Sequence, residues 1–213
     1  MMRVVYLLLA LFSMSSAVAQ DRYAKSLLDE VSKKYDSYKT IQSNFTFKAV
    51  QAKGESYTDK GEMFLNKPAQ QYKIVLPAQE LISDGKSTWS VLKEDKEVQV
   101  SDADHSNESI GPNNIFTFYK TGFKYISMDD ENVASAGKLK VVELSPIDTK
   151  RNYFKIKLRV NKNNHIHDVT IFDKSGSRYT YTINTLYVNN PIAPQTFQFQ
   201  KGNYPGFEVV DLR

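Results

Sequence analysis

Cysteine is missing from the 213-residue chain. That excludes disulfides, a thiol nucleophile, thiolate metal sites and a lipid attached through an N-terminal cysteine. Stability must then come from core burial, for which roughly 190 residues suffice as one domain. Tryptophan occurs once and histidine three times. "HIH" at 165–167 would set both imidazoles on one strand face, but a zinc site usually needs three protein ligands and no third is evident. The expectation is no metal and no cofactor. No G-x-S-x-G elbow is present. "SDGKST" lacks the upstream glycine and the strand-to-helix context of a phosphate-binding loop. Acidic residues are plentiful, on turns and alternating strand faces; an acid pair of the glycosidase type stays open, since its two members need only be close in space, and no other catalytic constellation is evident. The net charge of +4 is spread along the chain without a basic cluster, which argues against nucleic-acid binding.

Long apolar runs are also scarce. The longest is the nine residues 4–12 in "MMRVVYLLLALFSMSSAVA", short of the roughly twenty that span a bilayer. Arg3 ahead of this run and "AVA" at 17–19 complete the pattern of a secretory signal peptide. The expected organisation is a signal peptide over 1–19 and one domain over 20–213. The mature chain would be exported, soluble and unlipidated, with a charge of +3 once Arg3 is removed.

What the mature chain does have is periodicity. From 21 to 39, Tyr23, Leu27, Leu28, Val31 and Tyr35 recur at three- and four-residue steps, which predicts one amphipathic helix. After Ile41 the period becomes two. "SNFTFKAV", "KGEMFLN", "QYKIVL", "ELIS", "STWSVL" and "EVQV" are separated by Gly, Pro, Asp and Lys turns, which predicts an antiparallel meander. Asp84-Gly85 reads as a hairpin turn. "GPNNIFTFYK" packs four bulky apolar residues after Pro112 and predicts a short helix over 112–120. Strands resume with "LKVVELSP", "NYFKIKLRVN", "IHDVTIFD" and "SRYTYTINTLYV", followed by a proline-broken crossing, a strand at 197–199 and a short final strand.

Aromatic residues are abundant, with twelve Phe and thirteen Tyr. Around Met63-Phe64-Leu65 and Ile74-Val75-Leu76 both strand faces look apolar. A half-buried strand needs only one apolar face, so this sheet is covered on both sides or one side faces a cavity. Periodicity cannot separate those two readings.

The order of motifs decides between them. A Leu-rich amphipathic helix, "YKTIQSNFTFKA", "GEMFLNKPAQQYKI", "LISDGKSTWSV" and a late "FQF" together resemble the LolA family of periplasmic outer-membrane lipoprotein carriers. The resemblance is most specific over 27–100. It implies a mainly β (α+β) fold, an incomplete antiparallel β-barrel of ten or eleven strands with a lid of two to three α-helices. It implies a cavity for the acyl chains of lipoproteins, shuttled from an inner-membrane releasing transporter to an outer-membrane acceptor by a monomeric periplasmic protein. The expected lining is Phe45, Phe47, Phe64, Tyr72, Ile74, Trp89 and Val91, faced from the lid by Leu28, Val31, Ile115, Phe116 and Phe118. The family carries an arginine before its proline that holds the lid shut. Lys67 precedes Pro68 here, so it becomes the gate candidate, without the planar fork of arginine. A sensor or regulator binding another lipid and a protein partner, and a cavity hydrolase with acids or histidines inside the barrel, are the rival readings.

Overall fold

The computed structural model describes residues 15–105, 110–111 and 114–213, with side chains from residue 22 onward. Among the described residues one α-helix, α1 (Ser15–Asp36), precedes twelve strands: β1 (Thr40–Val50), β2 (Ser56–Asn66), β3 (Gln71–Val75), β4 (Gln79–Ser83), β5 (Ser87–Leu92), β6 (Glu97–Asp102), β7 (Phe123–Val133), β8 (Gly137–Pro146), β9 (Tyr153–Val160), β10 (Ile166–Asp173), β11 (Arg178–Val188) and β12 (Glu208–Asp211). All twelve form one sheet in the order β12-β6-β5-β4-β3-β2-β1-β11-β10-β9-β8-β7. Every neighbouring pair is antiparallel except β12 beside β6. The edge strands β7 and β12 do not pair, so the sheet is open.

The predicted helix begins six residues earlier than the periodicity suggested and ends at Asp36, because Thr40 already belongs to β1. Most of the signal-peptide span, 1–14, lies outside the described residues. Ala24, Leu27, Leu28, Val31 and Tyr35 are buried, as the spacing requires, while Tyr23 turns outward. The helix packs on the concave face of the sheet, against Val142, Leu144, Ile156, Leu158 and neighbours in one continuous core. Alternation explains that face: in β9, Ile156, Leu158 and Val160 are fully buried while Lys155, Lys157 and Arg159 point outward.

Two expectations are corrected. The 112–120 helix is absent among the described residues: a turn over 114–117 leads into a single 3-10 turn, Phe118–Lys120, and Pro112 itself lies outside the described residues. Among the described residues one α-helix therefore covers the concave face, where a lid of two to three was expected. The reason is the run itself. Ile115, Phe116, Phe118 and Tyr119 would leave a helix apolar around most of its circumference, and so short a helix has little stability of its own. The 197–199 strand is also absent. Pro194–Phe197 and Lys201–Asn203 are 3-10 turns in a segment that crosses the outer face of the sheet.

That crossing segment accounts for the doubly apolar strands. Ile82, Val91, Val98 and Val100 are buried on the outer face, and Phe197, 1% exposed, lies in the 3-10 turn that packs against β3. Phe199 stacks on Trp89 with ring centroids 5.9 Å apart. Tyr204 stacks on Phe199 and gives its hydroxyl hydrogen to Glu80. Glu80 also holds Lys73 and Lys93, each at 3.2 Å. The Asp84-Gly85 turn is a three-residue loop, 84–86. The Asp84 carboxylate accepts from the amides of Lys86 and Ser87, and Gly85 has φ +91° with its α-carbon against the Ala69 carbonyl, where a Cβ would lie 2.5 Å away.

Candidate functional site

The concave face is not filled to its end. Beyond the helix, between β1–β4 and β10–β11, lies an apolar cavity of about 210 Å³. Phe45, Met63, Ile74, Leu76, Leu81, Ile171, Tyr181 and Ile183 form its walls, and Ile110, Gly111 and Ile115 close it from the β6–β7 connection. Strand pairing explains the gathering: Phe45 lies opposite Gly61 on β2 and Ile183 on β11, and Met63 opposite Ile74, which pairs with Leu81. Partners in register share a face.

Of the expected lining residues, Phe45, Ile74 and Ile115 are in this wall. Phe47 lies beside it, 5.0 Å from Tyr181 ring to ring. Tyr72, Leu28, Val31, Phe116 and Phe118 are buried in the adjoining core rather than in the wall. Phe116 stacks on Tyr35 at 4.5 Å. Phe64, Trp89 and Val91 point to the other face. Phe64 aligns through Lys73 and Ile82 with Trp89, and a one-residue error of parity exchanges the two faces of a strand. Met63 and Leu65, two residues of like parity on either side of Phe64, are the signal that could have set β2 correctly. Nothing local marks Ile171, Tyr181 or Ile183, because the pairing of β11 with β1 brings them in.

Lys67 meets the helix. Its Nζ donates to the carbonyl of Tyr35 at 2.5 Å. That oxygen is in the last turn of α1, where carbonyls lack helical partners and a cation is favoured. Burial holds the Lys67 ammonium below the ordinary lysine range, partly offset by Asp36. Three further contacts converge on this end. Lys120 grips the Asp36 carboxylate at 2.6 Å, the Tyr35 hydroxyl accepts from the amide of Ile166 at 3.2 Å, and Ser32 bonds Tyr119 at 3.4 Å. Burial pushes the Tyr35 and Tyr119 phenols far up, so both stay neutral.

The histidines at 165 and 167 are engaged separately. His165 Nε2 bonds the Tyr38 hydroxyl at 2.7 Å, and His167 Nδ1 the carboxylate of Asp168 at 2.5 Å. A register shift in β10 between Ile166 and Asp168 breaks the alternation that would have aligned them. Among the described residues no group of three or more His, Asp or Glu could hold a metal ion.

The sheet is thus open, antiparallel but for β12, and carries an apolar hollow with a helix bonded through Lys67 on the same face. The family profile of the outer membrane lipoprotein carrier protein LolA matches residues 36–200, and the chain belongs to that family. A comparison with curated proteins gives no match. Among solved structures, an uncharacterised conserved protein from Thermus thermophilus is similar over 89% of this chain and 99% of its own, at 10% identity and a TM-score of 0.58; that likeness concerns the fold. A LolA superfamily protein from Nitrosomonas europaea (12% identity, 83% of this chain and 97% of its own, TM-score 0.43) and the lipoprotein LppX from Mycobacterium tuberculosis (10%, 79% and 98%, 0.49) are similar at lower scores. Among the described residues no helix is long and apolar enough to cross a membrane.

Proposed function

We propose that this protein is a periplasmic carrier that takes the acyl chains of lipoproteins into the concave cavity. It would receive them from an inner-membrane releasing transporter and hand them to an outer-membrane acceptor. The observation that carries the reading is the cavity: its wall is aliphatic and aromatic, with no acid or histidine among the described residues, and it lies beside a helix latched by Lys67. Apart from the Tyr181 hydroxyl the wall offers no titratable side chain, which favours a carrier over a hydrolase.

Magnitudes make the cycle physically reasonable. At about 210 Å³ the cavity is smaller than the roughly 300–1,000 Å³ of sites that enclose a small-molecule ligand. Loading an acyl chain must therefore widen it into the neighbouring core under α1. Burying Leu27, Leu28 and Val31 holds α1 down by roughly 1.5–3 kcal/mol each. A chain of about fifteen methylenes brings on the order of 12 kcal/mol of its own burial. The cargo therefore offsets what the displaced helix loses, whereas the Lys67 bond, about 1 kcal/mol, only biases the lid.

The test is mass spectrometry of wild type and Lys67→Leu, both expressed with the leader and purified from periplasm without detergent. Acylated lipoproteins co-purifying with the protein, in altered amount for the variant, are the expected result. Free phospholipid alone would point instead to carriage or sensing of another lipid, and an empty protein in both preparations would overturn the carrier reading.

A further inference from the structure

The sheet has a slot. β2 pairs with β1 over its whole length, but with β3 only from Glu62 to Asn66. Beyond Gly61, β2 runs on with that edge unpaired, and the β3–β4 turn at Leu76-Pro77 ends beside it. On the outer side of this slot lies a groove of about 660 Å³, lined by Thr46, Lys60, Val75 and Pro77 among others. The inner cavity and the outer groove share two wall residues, Phe45 and Leu76.

Phe45 is what separates them. Phe45 is 6% exposed and its ring lies over Gly61, where a Cβ would come within 2.5 Å of the ring's Cζ and 2.8 Å of the Val75 carbonyl. The missing side chain at 61 is the seat of the ring. The Tyr181 ring lies beside it, with centroids 6.5 Å apart and planes tilted by 45°. A ring seated on backbone and held by a second ring is a fixed wall, not a mobile one.

We infer that Phe45 sets the length of acyl chain the cavity accepts, by closing the slot at Gly61 against the groove outside. The inference rests on the carrier reading above. An acyl chain in the cavity ends against the Phe45 ring. With the ring removed, the cavity continues through the slot, and further methylenes can lie along Val75, Pro77 and the aliphatic stem of Lys60.

Calorimetric titration of the purified protein with straight-chain fatty acids, from octanoate to stearate, tests this. For wild type, affinity should rise about fourfold per methylene up to a limiting length and then level off. In Phe45→Ala the rise should continue to longer chains. Leu76→Ala opens the same partition from the β3–β4 turn and should move the limit in the same direction, and it carries the test if Phe45→Ala does not fold by circular dichroism. The same limiting length in wild type and in every folded variant overturns the inference and leaves the carrier reading standing. Failure of wild type to bind any chain overturns both.

Discussion

Lys67 and His165 act on the same end of α1 by different physics. Lys67 supplies one charge-assisted bond to the Tyr35 carbonyl from a partly exposed side chain, so Lys67→Met should cost about 1 kcal/mol rather than the roughly 3 of a buried ionic contact. It should also speed uptake of an apolar dye; denaturant titration and stopped-flow fluorescence read the two effects. His165 is held below its ordinary value of 6.5, by burial first and then by Lys34. Its folded form therefore takes up a proton later than the unfolded chain does. The stabilising difference is present above pH 6.5 and is lost as the pH falls from there towards the lowered folded value. Thermal unfolding between about pH 7.5 and 5 should show that loss, and His165→Gln should flatten it; an unchanged slope in the variant would assign the pH dependence to other groups. The lysine was legible through the family resemblance, because it stands before Pro68 where the family has an arginine. The histidine was not, because its partners Tyr38 and Tyr35 are over 120 residues away.

At the scale of elements, the instructive segment is the one between β6 and β7. Its apolar run was visible, and its burial followed: Phe116, Phe118 and Tyr119 are all in the core. Its conformation did not. Asn114 accepts the Gly111 amide with its side chain and the Thr117 and Phe118 amides with its carbonyl, which starts a turn that no helix continues. Phe116 adds to this segment's hold on the helix through its stack on Tyr35, beside the Tyr119–Ser32 and Lys120–Asp36 contacts. Phe116→Ala should cost about 3 kcal/mol in denaturant unfolding and enlarge the space that an apolar dye can enter. A loss under about 1 kcal/mol would mean that the segment already stands open in solution.

At the scale of the molecule, the chain after Asn190 works as a strap. It covers Ile82, Val91, Val98 and Val100, and it ends in the parallel strand β12 beside β6. Truncation after Asn190 should expose this apolar face and drive association, visible by sedimentation. Trp89 is the reporter, being the sole tryptophan and stacked on Phe199 of the strap. Its emission should shift to the red on truncation and stay unchanged when the inner cavity is loaded with fatty acid. A shift on loading would place the guest on the outer face.

Short stretches of sequence were enough to settle the alternation of strands and turns and the apolar stripe of α1. Each is written in residues close together along the chain, where period and turn chemistry operate. Which face of β2–β6 looks inward was settled only by the folded arrangement. Both faces are apolar because each has a cover: the helix and the rest of the concave core on one side, the C-terminal strap on the other. The hairpin that carries Trp89 therefore turns its tryptophan to the protein's own strap, and the cavity is built from Phe45, Met63 and Ile74 together with β11 residues well over a hundred positions further on. Pairing between strands that distant depends on loop closure and on the register of the whole sheet, and no local window of sequence contains either.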